Sequence, residues 1–238
     1  MNAVGFIDSL LEQGAAIVVP LGVDYFGILV SALTGALFAC QRKLDPVGTV
    51  VLGLITAYGG GLMRDLILQS HGIYLTEHPD LILICTLLCL FVFYFRSLFK
   101  RLDTALLVCD SLSIALFTLA GASKALSCGQ TAIISVVLGV VTAVGGGALR
   151  NVFVGETPDI FKRANYYALA CLGGAVVYVV LVELGCPVSI AGALCVVVTL
   201  ALRFASIALN LKTRQEADLT PAVKERLGKI GKQKGEGE

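Results

Sequence analysis

The sequence predicts an all-α membrane protein of seven transmembrane helices, arranged as two inverted three-helix repeats followed by a seventh helix. Three observations carry that expectation. Hydrophobic residues make up 57% of the 238 positions and charged ones only 15%, whereas roughly a quarter of residues are charged in soluble domains. The apolar residues fall in long runs, and about 20 in succession span a bilayer. Finally, positions 24–68 align without a gap onto 110–154, with 16 identities in 45.

Residues 1–21 read as a short amphipathic or loop-like lead-in. Asp8 and Glu12 stand where a signal peptide would be basic, and the apolar run there is short, so cleavage is not expected. Segments bounded by charge, Pro and Gly then predict helices over 22–41, 47–69, 80–99, 104–126, 132–154, 165–183 and 187–210. Pro79–Asp80 and Pro158–Asp159 read as the starts of the third and sixth helices, since Pro is tolerated in a first turn. Residues 22–99 form the first repeat, 104–184 the second, and 187–210 the seventh helix. Residues 211–238 form a polar tail that is disordered or weakly helical.

Charge sets the orientation. Arg42, Lys43, Arg96, Lys100, Arg101, Lys162, Arg163 and the tail from Lys212 fall on one side of these spans, and His71, Glu77, His78 and Asp80 on the other. The positive-inside rule then predicts an external N-terminus and a cytoplasmic C-terminus, with membrane lipid as the surroundings. Each repeat holds three spans, an odd number, so the second copy must enter the membrane from the opposite face. Inverted repeats of this kind recur in transporters, with the binding site near the midplane.

The repeat shares Asp24/Asp110, Gly35/Gly121, Gly53/Gly139, Thr56/Thr142, Gly59–Gly61/Gly145–Gly147 and Arg64/Arg150. Both glycine triplets fall halfway along a predicted span, and each interior Gly costs about 1 kcal/mol relative to Ala. Either the glycines let helices pack closely, or the second and fifth helices are kinked and broken there, with exposed peptide groups lining a path. Two triplets, each followed by an arginine one turn on, favour the broken helix. Thr56 and Thr142, one turn before the triplets, offer hydroxyls to a solute or bond their own backbone. Because the first helix runs inward and the second outward, Asp24 and Arg64 lie at comparable depth, and inversion predicts the same for Asp110 and Arg150. Two Asp–Arg pairs flanking the glycines would act as gates or as static braces; an intramembrane charge without a partner is costly.

Other features read more plainly. Asp65 becomes Asn151 in the second copy, so no carboxylate is needed there in both halves. Lys124, whose repeat partner is Phe38, and Arg203 read as snorkelling side chains. Tyr166 and Tyr167 fit an interfacial belt. The eight cysteines show no metal-binding spacing and read as buried thiols; Cys128 and Cys186 are the pair placed to form a disulfide. A net charge of +1 gives no case for nucleic acid. Both histidines sit in one loop without a nucleophile–base arrangement, so no enzyme, catalytic residue, cofactor or metal site is expected.

The duplicated pattern G-x-x-T-A-x-G-G-G-x-x-R-[DN], with "TGA" or "AGA" in the first helix of each unit, resembles the bacterial glycine-transporter family. That family is similar in fold to the trimeric intracellular cation (TRIC) channels. The resemblance implies a bacterial inner-membrane homotrimer, each protomer carrying its own pathway along the second and fifth helices. It places Gly59–Gly61, Arg64, Gly145–Gly147 and Arg150 on that pathway. It implies glycine as the solute of the bacterial branch and monovalent cations as that of the channel branch. A small-solute carrier is the leading expectation and a TRIC-like monovalent cation channel the alternative.

Overall fold

The computed structural model describes residues 21–69, 72–98, 102–162 and 166–209. The lead-in and the tail expected from sequence, apart from Leu21, lie outside the described residues. Among the described residues, seven helices of 16 residues or more follow one another: α1 (Leu21–Gln41), α2 (Pro46–Leu68), α3 (Pro79–Tyr94), α4 (Leu102–Ser127), α5 (Ala132–Phe153), α6 (Tyr167–Glu183) and α7 (Val188–Ala208). A four-residue helix, Tyr74–Glu77, which the sequence did not announce, precedes α3.

The helix ends follow local chemistry. Asp45 caps α2 by accepting the Gly48 amide at 2.7 Å, with Pro46 in the first turn, and Thr131 caps α5 through the Ile134 amide. Past the ends of α4 and α5, Gly129 and Gly155 both adopt φ +73°, a left-handed conformation that glycine takes without strain. Pro79 does start α3, but Pro158–Asp159 does not start α6. Those two residues belong to the α5–α6 loop, and α6 begins at Tyr167.

Helices α1, α2, α4, α5 and α7 are long and apolar enough to cross a bilayer, while α3 and α6 are apolar but shorter. Together they make an all-α membrane protein. Helix α1 packs on α2, α3 and α4; α4 packs in turn on α5, α6 and α7; and α2 crosses α5 at the centre. Small residues set these contacts. Ala32, Ala36 and Ala39 of α1 and Ala115 and Ala122 of α4 are wholly buried. A methyl on Gly35 would sit 2.6 Å from the Thr56 hydroxyl, and one on Gly121 2.5 Å from the Thr142 hydroxyl. With lipid outside, close van der Waals approach rather than water exclusion holds such helices together.

At one end of the bundle, Arg42 beyond α1 pairs bidentately with Glu156 beyond α5, at 2.5 and 3.0 Å. The Arg42 hydrogen bond holds the Glu156 carboxyl below the usual glutamate range. A depressed folded-state value stabilises at neutral pH, and that contribution is lost as the pH falls through the folded value. Both side chains are part-exposed, so screening keeps the pair below about 1 kcal/mol. Glu156→Gln is expected to lower the thermal midpoint slightly at pH 7 in low salt. The difference should shrink as the pH falls below the usual glutamate range, or in about 1 M salt.

Candidate functional site

The two glycine triplets meet each other. A Cβ on Gly60 would overlap the carbonyl oxygen of Thr142, and one on Gly146 would overlap that of Thr56. Gly59 and Gly145 lie against Leu149 and Met63 from the opposite helix. The α-helix runs unbroken through both triplets, which corrects the expectation of broken helices. Their backbone groups stay hydrogen-bonded within the helix, and what the glycines supply is a near-contact of two backbones that any side chain would prevent. The third glycine of each triplet faces elsewhere. A methyl on Gly61 would meet nothing nearer than Arg64 at 4.0 Å, and one on Gly147 would meet the Tyr167 hydroxyl at 3.3 Å. Each lines a cavity beside the crossing.

Thr56 and Thr142 do not face these cavities. Their hydroxyls donate to the carbonyls of Leu52 and Leu138, each at 2.6 Å, and are covered by Gly35 and Gly121. The structure thus removes them from the solute-facing set and makes them packing partners of the shared glycines.

The first cavity surrounds Arg64, which is 2% exposed. Its Nε donates to Asp65 Oδ1 at 2.8 Å, and its Nη1 lies 3.6 Å from Asp24 Oδ1. Asp65 also accepts from Lys124 Nζ at 3.1 Å and from the Tyr74 backbone amide at 3.0 Å. The formal charges of Asp24, Asp65, Arg64 and Lys124 cancel. The short helix Tyr74–Glu77 covers this cluster, and His78 beyond it meets the Tyr25 hydroxyl at 2.9 Å. The space left is about 20 Å³, room for about one water.

The second cavity surrounds Arg150, 3% exposed. Its Nε donates to Asn151 Oδ1 at 3.2 Å and its Nη1 to Asp110 Oδ1 at 3.5 Å. Its Nη2 lies 3.6 Å from Asp159 Oδ2, and its flat face covers the Phe38 ring at 4.2 Å. No water-sized space remains here. Tyr167 lines this cavity, with the Arg203 guanidinium 4.8 Å above its ring. Tyr167 therefore belongs to the interior and not to an interfacial belt, and Arg203 stacks on it.

The structure brings Asp24 to Arg64 and Asp110 to Arg150. It adds residues that sequence reasoning set aside. Lys124 does not snorkel; it completes the charge balance at Asp65. Positions 65 and 151 share one job, accepting the arginine Nε. Where that acceptor is the Asp65 carboxylate, Lys124 pairs with it, and where it is the Asn151 amide, the residue at the corresponding position, Phe38, lies under the arginine instead. The sequence did not single these positions out, since 65/151 and 38/124 are two of many at which the copies differ; the structure shows that the first cavity holds both charged members, Asp65 and Lys124. Asp159 lies beyond the aligned stretch 110–154, so the repeat offered no reading of it. Among the described residues no His, Cys, Asp and Glu side chains form a metal-binding group, and Cys128 and Cys186 are not joined by a disulfide.

A family model described as "Glycine transporter" matches residues 21–97 and again 107–183. The chain is 34% identical over 192 residues to the UPF0126 inner membrane protein YadS of Escherichia coli K12, covering 80% of this chain and 92% of that one. It is 33% identical over 190 residues to a UPF0126 membrane protein of Vibrio cholerae, covering 79% of each. Among solved structures, the TRIC trimeric intracellular cation channel orthologue from Rhodobacter sphaeroides superposes with a TM-score of 0.75 at 34% identity. That match covers 79% of this chain and 97% of the other. With two family matches on its two halves and a TRIC-like arrangement of helices, the chain belongs to the glycine-transporter family of membrane proteins.

Proposed function

We propose that this protein is an inner-membrane carrier for a small zwitterion such as glycine. One observation carries the reading: two buried arginines, each held against carboxylates, stand on either side of a glycine crossing that leaves no passage between them. A guanidinium can take a solute carboxylate through two parallel hydrogen bonds, and Asp24 or Asp110 can take the ammonium. The cavities are too small for glycine as they stand, so transport requires the Asp24–Arg64 and Asp110–Arg150 pairs to open as gates, and α2 and α5 to yield at Gly59–Gly61 and Gly145–Gly147.

In this reading all seven long helices span the membrane. Residues 22–99 and 104–184 are inverted repeats, followed by a seventh span (187–210) and a cytoplasmic tail (211–238). The N-terminus faces outward, so the Arg64 cavity is the outer one and the Arg150 cavity the inner. The names of the solved TRIC relatives support a homotrimer, and in this reading each protomer carries its own pathway. Radiolabelled glycine uptake into proteoliposomes tests the carrier reading. The wild type should show saturable uptake, and Arg64→Ala and Arg150→Ala should each reduce it by about tenfold or more, which corresponds to about 1.4 kcal/mol of lost stabilisation. Uptake that neither variant changes would remove the arginines from the path.

A monovalent cation channel is the second reading. It is favoured by the likeness to channel structures and by the ion pairs themselves, because carboxylates beside each arginine offset the repulsion a cation would meet.

A further inference from the structure

Asp159 is a partly exposed carboxylate held against a buried arginine. This residue lies in the α5–α6 loop with its side chain 40% exposed, yet its carboxylate reaches the deeply buried Arg150 at 3.6 Å. It is the outermost of the groups around that guanidinium: Asn151, Asp110 and Phe38 come from helices, and Asp159 alone among them comes from a loop. At the Arg64 cavity, the residue 86 positions earlier in the chain is the apolar Ile73. Asp159 is secured from the surface side. Lys162 Nζ donates to it at 2.9 Å and lies 3.7 Å from Glu156, which is in turn clasped by Arg42. Alternating charges thus run from the surface at Arg42 through Glu156, Lys162 and Asp159 to Arg150.

We propose that the Arg150 cavity is a seat for a small carboxylate, and that in this conformation the chain's own Asp159 carboxylate fills it. The proposal deepens the carrier reading and rests on it for the identity of the arriving solute. Asp159 presents to Nη2 the same chemical group that a solute carboxylate would present, and with it in place the cavity has no room for water. A solute carboxylate must therefore displace Asp159 from Nη2. Burial pushes the Asp159 carboxyl up, but Lys162 first, then Asn151 and Arg150, hold it below the usual range, so it competes as an anion at neutral pH.

The test is arginine modification by 2,3-butanedione in borate, on the full-length purified protein in detergent, read peptide by peptide by mass spectrometry. In the wild type Arg150 should react slowly. In Asp159→Asn it should react about fivefold faster or more, since charge-assisted pairing is lost. Sodium acetate or glycine should then restore the slow rate in the variant, with acetate alone sufficing if any small carboxylate is taken. Arg64 in the same sample is the internal control and should keep its wild-type rate. An unchanged Arg150 rate in the variant, or a faster one that neither acetate nor glycine slows, would overturn the proposal. A parallel rise at Arg64 would overturn it as well, because it would mean a general loosening of the bundle. No flux is measured, so failure here leaves the carrier reading standing, and absence of glycine transport would leave an acetate-protected Arg150 unexplained by anything but a carboxylate seat.

Discussion

Alanine at Gly60 or Gly146 is expected to disrupt the folded protein, whereas alanine at Gly61 is expected to be tolerated. The three positions are chemically identical and lie in equivalent helical backbone, so propensity alone would make each substitution stabilising by about 1 kcal/mol. Packing reverses that for two of them. A methyl on Gly60 or Gly146 would overlap a backbone carbonyl of the opposite helix, whereas one on Gly61 finds its nearest heavy atom, the flexible end of Arg64, 4.0 Å away. A backbone carbonyl cannot rotate aside as a side chain can, so α2 and α5 must separate along their whole contact. Overpacking of this kind costs about 3 kcal/mol, and more where two backbones touch. Thermal unfolding in detergent, followed by loss of the monodisperse peak, should rank Gly61→Ala with the wild type and the other two well below it. Equal midpoints for all three variants would show that the crossing is not the tight contact described here.

The second large effect concerns two of the positions at which the repeats differ, 65/151 and 38/124. Asp65→Asn should leave Lys124 beside a neutral amide, and Lys124→Phe should leave Asp65 with one cation fewer. Breaking a buried ion pair costs about 3–5 kcal/mol, discounted here to about 2 kcal/mol because Lys124 is partly exposed. The double variant is expected to recover more than half of the summed loss. It gives Arg64 two of the partners that Arg150 already has, an Asn at the Nε and an aromatic ring in the position that Phe38 holds there, without the loop carboxylate that Asp159 supplies. Contacting residues commonly couple by about 0.5–3 kcal/mol, and a double-mutant cycle measures that term directly. Strict additivity would mean that Lys124 and Asp65 do not act together.

Much of this arrangement was legible in the sequence, and the reasons differ from residue to residue. The long helices are readable because apolar runs end at Asp45–Pro46, Pro79 and the glycines after α4, α5 and α6, each a local signal. The Asp24–Arg64 and Asp110–Arg150 contacts follow from strand-free depth arithmetic along helices of known rise, applied to a repeat that keeps both residues. Glycine triplets are ambiguous by nature. The absence of a side chain lets a helix unwind and equally lets another backbone approach, and only the partner across the crossing decides. Thr56 and Thr142 share that ambiguity, which the shared glycines Gly35 and Gly121 resolve by covering them. Lys124, Tyr167 and Asp159 were misread because their partners come from other helices or from an irregular loop, and a linear hydropathy pattern places each of them at a membrane boundary.

Glycine counterflow, measured with potassium current on the same preparation of wild-type proteoliposomes, tests the account most directly. A carrier in which two arginine cavities open in turn predicts that unlabelled glycine inside accelerates entry of labelled glycine, saturably and without unitary current steps. Ohmic potassium current with no glycine counterflow would contradict it and establish the channel reading in its place.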